Sequence, residues 1–457
     1  MKTFAISIID ERQSDRTEKI MIVTKFGGTS MASAEQFKKV KSIIDANPAR
    51  QVVVVSAPGK KTSDDIKITD LLYTLYTHLQ YGVPYGDLWA MIEGRYFEIA
   101  RDLNLDCDIA SELARIKSQL KKGMDQNYLI SRGEYLAAKL MSSYLGFDFV
   151  DAKDIIRFTY SGTVDIERSE QNAKRAFSRQ GGIVVPGFYG SYPNGDICLF
   201  SRGGSDITGS YLARFLDAKI YENWTDVPGT LAADPRIVEN PKTIAQITYT
   251  ELRELSYMGA NVLHEDSISP VQEKNISINI KNTNEPSCPG TIIKRECNDD
   301  SSIITGISGK KDFVSFDILK DHMSTEIGFT RRVLEIFENY KINVEHIPTG
   351  IDSVSVIVSG ASVAGSMYDI VSNIETELGA KVRAKKELAL IAIVGRNMVG
   401  KNGICARIFA SLSAVGINIK MIAQPPDETN IIVGVDNNNY KKAIKALYDD
   451  FKSVDWI

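Results

Sequence analysis

The stretch VTKFGGTS, residues 23–30, ends an apolar run on a lysine and follows it with two glycines and two hydroxyls. Glycines in a strand-to-helix turn let backbone N–H groups close on an anion, and the positive end of the next helix adds to them. Lys25 would bring a full charge within reach of a bridging or terminal phosphate. A plain Gly-Gly turn with Ser30 capping the helix is the alternative. A second double glycine opens SRGGSDITGSYLARFLDA, residues 201–218. There Arg202 offers a planar fork matched to a carboxylate. Ser205 and Asp206 could be no more than a helix cap and an acid at the dipole, but capping explains neither the arginine nor the paired glycines. A third stretch, WTDVPGTLAADPRIV at 224–238, places Thr225, Asp226 and Arg236 on a Pro/Gly-interrupted loop where they could meet a nucleotide or simply connect two elements. GRNMVGKN at 395–402 imitates the pattern G-x-x-x-x-G-K-[ST], but Asn402 stands where a hydroxyl should hold Mg²⁺. It also lies inside a repeat that accounts for it structurally, so it is not read as a phosphate loop.

The elements that must position these residues alternate. Short β-branched runs (MIVTKF, QVVVVSAP, GGIVVPGF, SINIKNT) lie among stretches of helical period from Ile22 to about residue 300. This predicts an α/β domain with a mainly parallel sheet covered on both faces. Residues 64–125 read as consecutive helices, an insertion over one end of the sheet. In the last third, GFTRRVLEIFENYKINVEHI (328–347) and GICARIFASLSAVGINIKMI (403–422) align without gaps at a spacing of 75. Each copy follows and precedes an apolar strand, which predicts a duplicated ferredoxin-like unit. The expected organisation is an extension at 1–20, a catalytic domain at 21–300, and two units at 301–386 and 387–457 that can interleave.

With 457 residues, 43% hydrophobic and 25% charged, the chain has the composition of a soluble multi-domain protein. A formal net charge of −4 and the lack of a basic stretch argue against a nucleic-acid groove. No window reaches the roughly 18–20 apolar residues that span a bilayer. Residues 1–20 lack a signal-peptide pattern. Five scattered cysteines and four histidines without ligand spacing predict free thiols, a cytoplasmic setting and no structural metal.

KFGGTS, VVVVSAPGKKT, SRGE, SRGGSD, WTDVPGTLAADPRIV, GANVLH and VGRNMVGKNGICARIFASLSAVGINIKMIAQ, in that order, resemble the aspartate kinase family over almost everything from Met21 onward. The resemblance implies an amino-acid-kinase fold, two ACT regulatory units and the form without a fused homoserine dehydrogenase. It implies transfer of the ATP γ-phosphate, with Mg²⁺, to the side-chain carboxylate of L-aspartate, giving 4-phospho-L-aspartate on the way to lysine, threonine and methionine. Lys25 matches the phosphate-binding lysine, and Gly27 and Gly28 the N–H donors of its turn. Asp206 would orient Lys25 or the substrate, since an ionised carboxylate nucleophile needs no general base. Glu134 matches the acid that binds the substrate ammonium, although Ser131-x-x-Glu134 also reads as a capping box. Arg202, with Ser205 beside it, matches the partner of the α-carboxylate. Ser56 and Thr62 match hydroxyls near aspartate and the γ-phosphate. Thr225, Asp226 and Arg236 match the nucleotide loop. Three departures stand out: Leu231 replaces an aromatic, Asn261 a lysine, and Pro425-Pro426-Asp427 a Gly-Ser-Ser.

ACT units of this family bind an end-product amino acid between paired units. Met323, Glu326, Phe329, Asn343, Val344, Glu345 and Asp352 match or adjoin effector positions. Glu326, Glu345 and Asp352 could meet an ammonium, which implies lysine rather than threonine; the alternative is that they are solvated turn and edge residues. Such an effector implies a homodimer through the ACT units, or a dimer of dimers. Rival readings are an acetylglutamate kinase, a glutamate 5-kinase and a catalytically weakened amino-acid sensor.

Overall fold

The computed structural model describes residues 21–178, 181–201, 203–260, 263, 265–297 and 302–457. The extension at 1–20, Arg202 and Asn261 lie outside the described residues. Ten strands form the first part: β1 (Ile22–Phe26), β2 (Arg50–Val55), β3 (Asp148–Phe149), β4 (Ile183–Pro186), β5 (Tyr189–Ser191), β6 (Ile197–Leu199), β7 (Ile220–Thr225), β8 (Gln246–Thr248), β9 (Ser277–Asn282) and β10 (Thr291–Lys294). Eight of them make one sheet in the order β3-β4-β2-β1-β7-β9-β10-β8, and β5 pairs with β6 beside it. From β3 to β9 the strands run parallel, and β10 and β8 run together in the opposite direction. Val52 through Val55 are all fully buried, because helices cover both faces and neither side of the strand meets water.

The expected helical insertion is present as Ile68–Tyr81, Gly86–Asp102 and Ile109–Ser118, followed by the long helix Gln126–Leu145. These pack with Phe26, Val53, Val55 and Phe37 into a separate core on one face of the sheet. Gly133 lets the long helix ride on the segment after β2: a Cβ there would sit 2.9 Å from that of Ala57.

The regulatory part is one six-stranded antiparallel sheet, built from β11 (Gly306–Leu319), β12 (Val344–His346), β13 (Ser353–Ser359), β14 (Lys381–Val394), β15 (Met421–Ala423) and β16 (Asn430–Asp436) in the order β12-β13-β11-β14-β16-β15. Strands β11 and β14 each run through both repeats. The far half of β11, Phe313–Leu319, pairs with β13, while its near half, Gly306–Lys310, pairs with the end of β14 that also meets β16. A cut at 386/387 therefore falls inside a continuous strand. The repeat's register is visible in three dimensions. Gly328 and Gly403 are the left-handed N-caps (φ 80° and 90°) of equivalent helices, and Val333, Ile408, Phe337 and Leu412 are all fully buried.

The two repeats are buried differently. Ile391, Ile393 and Ile432 of the second belong to the same continuous core as Val23 and Val54 of the catalytic sheet, joined through Leu252 and Leu255 on the helix Tyr249–Tyr257. The first repeat has its own core around Phe316, Phe329, Val333 and Phe337. Each buried side chain of this size contributes about 1.5–3 kcal/mol, so the second repeat is anchored to the eight-stranded sheet while the first is stabilised from within.

Candidate active site

Parallel sheets of this kind bind ligands at the carboxyl ends of their strands, and the chemistry-bearing residues gather there. Lys25 is the penultimate residue of β1, cross-strand from Asn223 on β7. Its ammonium lies 2.6 Å from Asp206 Oδ1, in the first turn of the helix Gly204–Phe215, and donates to Asn223 Oδ1 at 3.5 Å. Asn223 Nδ2 in turn donates to the same Asp206 oxygen at 2.8 Å. Lys25 is 7% exposed and Asn223 4%. The first and second double-glycine stretches thus meet across a single ion pair.

Each glycine has a separate reason. Gly27 N–H donates to Trp224 O (3.0 Å), so the donor expected to be open there is already paired. Gly28 accepts at its carbonyl from Gly59 N–H (2.7 Å), and a Cβ on Gly59 would stand 2.6 Å from the carbonyl carbon of Gly28. The β1 and β2 exits therefore touch backbone to backbone. Ser30 does not cap the following helix; it shares a hydrogen bond with Thr283 Oγ1 (2.7 Å), and Ser33 caps instead. Gly203 takes φ 75° as the N-cap, and a Cβ on Gly204 would collide with Phe188 at 2.4 Å. Phe188 itself has φ 82°, a costly conformation for a bulky residue, pinned by Thr208 Oγ1 at its N–H and by Phe200 N–H at its carbonyl.

Glu134 sits in the middle of Gln126–Leu145, whose N-cap is Asp125, so the capping-box alternative fails. Its carboxyl is buried (4% exposed), receives Ala57 N–H, and leaves Oε2 without a partner among the described residues. Burial pushes it up to about 8, only partly countered by that N–H and by the nearby Arg132 charge. A carboxyl in this state is complementary to an incoming cation.

The other expected residues are placed as follows. Ser56 directly follows β2, and its N–H bonds Phe26 O (3.1 Å). Thr62 is exposed on the segment that Arg95 fastens, with a bidentate grip on Asp65 and a bond to Gly59 O (2.9 Å). Ser205 packs on Gly187, where a Cβ would lie 2.6 Å from its hydroxyl. Thr225 ends β7 with its hydroxyl on Asp226 (3.2 Å). Arg236 turns away to pair with Asp234 (2.7 Å). With Leu231 it lines a cavity of about 300 Å³ that also takes in Tyr440 and Ile444 of the second repeat.

In the first regulatory repeat, Met323 and Phe329 are core residues at 7% and 2% exposure. Glu326 is neutralised by Lys320 (2.7 Å) and Arg332. Asn343 and Asp352 are exposed, and Val344 pairs with Val358. Glu345 accepts from the hydroxyl of Tyr257, at the end of the helix Tyr249–Tyr257. Burial and that carboxylate push the Tyr257 hydroxyl up to about 12. Around 395–402 no anion cradle forms: Gly400 N–H goes to Glu428 (2.7 Å), and the helix begins only after Gly403.

Asn223, Gly59 and Gly187 were not singled out by sequence reasoning. Asn223 carried little signal, because Lys219 and Glu222 already make the strand AKIYENW polar. The glycines carried none, because what requires them comes from distant segments.

Residues 21–282 match the amino acid kinase family, and residues 391–451 match the ACT domain. Aspartokinase 3 of Bacillus subtilis is 38% identical over 447 residues, covering 94% of this chain and 98% of its own. The crystal structure of Clostridium acetobutylicum aspartate kinase, described as an allosteric enzyme, superposes with a TM-score of 0.86 at 46% identity, covering 94% of this chain and all of the other. E. coli aspartokinase III in complex with aspartate and ADP shares the fold at 24% identity, with a TM-score of 0.73 over 94% and 99% of the two chains. The sheet-edge corner, the regulatory sheet and these likenesses agree: the chain belongs to the aspartokinase family, ATP-dependent kinases of the aspartate side-chain carboxyl.

Proposed function

We propose that this chain phosphorylates the side-chain carboxylate of L-aspartate with ATP, giving 4-phospho-L-aspartate, the first step towards lysine, threonine and methionine. The observation that carries the reading is Glu134. A buried carboxyl with one oxygen unpartnered among the described residues abuts the backbone corner formed by Ala57, Gly28 and Gly59, and Lys25 follows on the adjacent strand. An ammonium site beside a phosphate corner suits an amino acid that accepts a phosphoryl group.

Glu134 takes the α-ammonium, while Arg202 and Ser205 take the α-carboxylate. That leaves the side-chain carboxylate facing the nucleotide, with Ser56 and Thr62 alongside. The nucleophile is already ionised, so catalysis reduces to positioning and charge neutralisation. Lys25 neutralises charge on the transferring group, Asp206 aims it, and Gly28 lends its N–H. Thr225, Asp226 and Arg236 serve the nucleotide, which for Arg236 requires leaving Asp234. Mg²⁺ suits the hard carboxylate oxygens of Asp206 and Asp226 at this edge and would supply further neutralisation of the triphosphate.

Lysine is the proposed feedback effector, received by Glu345 and Asp352 at a homodimer of ACT units. Glu345 supports this because its partner, Tyr257, is neutral and exchangeable for an ammonium. The test is phosphoryl transfer measured with aspartate, glutamate and acetylglutamate, with and without lysine. Preference for aspartate and inhibition by lysine are expected. Turnover of glutamate or acetylglutamate alone, or of none, would refute the substrate, and insensitivity to lysine the effector.

A further inference from the structure

Beside the ion pair that the aspartate kinase reading uses, β7 presents a neutral amide. Asn223 lies in a buried strand between Lys25 on β1 and the apolar Ile280 on β9. Its two polar atoms are both engaged, and the chemistry of the partners dictates which way round. A carboxylate only accepts and an ammonium only donates, so Nδ2 must face Asp206 and Oδ1 must face Lys25. On the same strand, Glu222 is buried on its pair with Arg50 and the Tyr221 hydroxyl donates to Asp206 O (3.1 Å), so Asp206 is held from β7 by both Tyr221 and Asn223.

We infer that Asn223 is a positioning residue for phosphoryl transfer: it shares the Asp206 oxygen that Lys25 grips and gives the ammonium a second, uncharged acceptor, so that Lys25 is aimed without being over-neutralised. Two properties follow from the triangle. The donated N–H fixes the rotation of the Asp206 carboxylate, so only one of its oxygens is committed to the pair. The amide also adds no charge. A second carboxylate there would leave the corner net negative, against a triphosphate that must settle on the same ammonium. The inference rests on the kinase reading of Lys25 and Asp206, but it adds a residue to that reading.

The test is steady-state kinetics on three full-length variants with melting temperatures measured alongside. Asn223→Leu removes both bonds while filling the site. The expected result is a kcat lower by tenfold or more, a KM for aspartate within about twofold of the unsubstituted enzyme, and an undiminished melting temperature. Asn223→Asp keeps the shape but replaces the donor to Asp206 with a carboxyl, which should also lower kcat tenfold or more while the KM for aspartate stays within about twofold. A merely structural asparagine would not give this split of kcat from KM. Normal kcat for the leucine variant overturns the inference; should the leucine variant fail to fold, the aspartate variant decides alone, and normal kcat there overturns it. Lys25→Met separates the two levels. If it turns over normally, the site reading itself fails. If it is inactive while Asn223→Asp turns over normally, only the role of Asn223 fails.

Discussion

The two regions proposed to meet small charged molecules are finished to different degrees. At the catalytic edge a buried carboxyl, Glu134, keeps an oxygen without a partner among the described residues. At the turn of the first regulatory repeat two of the three candidate acids are occupied, Glu326 by Lys320 and Arg332 and Glu345 by Tyr257, while Asp352 is exposed. On the proposed reading, the first region stores a desolvation cost that a substrate ammonium would relieve. Glu326 and Glu345 store none, so an effector meeting either must exchange one partner for another. A carboxylate held by a tyrosine of the catalytic domain is a favourable place for that exchange, because releasing it also frees the end of the helix Tyr249–Tyr257. That helix is tied to the second repeat as well, through Glu251 with Arg396 (3.3 Å) and Glu254 with Asn430 (2.7 Å), and Glu251 also holds Thr305 (2.6 Å) just before β11. Open sites bind, and closed ones switch.

The harshest way to break this contrast is Lys25→Met. With positioning and neutralisation as the main sources of rate, kcat should fall by roughly a thousandfold or more, while aspartate binding measured by calorimetry stays within a few-fold. Next is Glu134→Gln. Losing a charge-assisted bond in a buried pocket costs about 2–3 kcal/mol, so aspartate affinity should drop by roughly 30- to 150-fold. The same variant should melt higher at pH 9. The folded carboxyl is raised from 4.5 to about 8, so the stability of its neutral form is fully present below 4.5 and is lost as pH rises to 8. The amide removes that loss, and the gain should vanish near pH 4. Smaller effects sharpen the regulatory side. Glu345→Gln should raise the lysine concentration for half-inhibition by about tenfold, as expected when a charge-assisted hydrogen bond at a partly exposed site becomes a neutral one. Tyr257→Phe should lower it by a few-fold, since it removes the competitor for Glu345. Unchanged half-inhibition in both would detach this turn from regulation.

Much of this was legible beforehand wherever a local pattern and a physical requirement coincide. The near-continuous valines of β2 announce a strand buried on both faces. The gapless repeat at a spacing of 75 gives two equivalent helices with equivalent caps. The resemblance pointed to Glu134 where the local pattern alone favoured a capping box, and the helix start at Gln126 removed the cap. What could not be read depends on segments distant in sequence. Gly59 is required by Gly28, Gly204 by the strained Phe188, and Asn223 by a lysine and an aspartate on two other elements. That the two repeats can interleave was expected, but not which strand they share: periodicity sees β11 as one strand, not which neighbours each half will take.

The central contrast, a buried carboxyl proposed to receive the substrate ammonium, is tested most directly by calorimetry of aspartate binding at pH 7 in buffers of differing ionisation enthalpy, with a non-hydrolysable ATP analogue present. A carboxyl that titrates at about 8 when empty must give up its proton to hold a cation, so close to one proton should leave per aspartate bound, and none in Glu134→Gln. Binding without proton release in the unsubstituted protein, or equal affinity in the variant, would contradict the account.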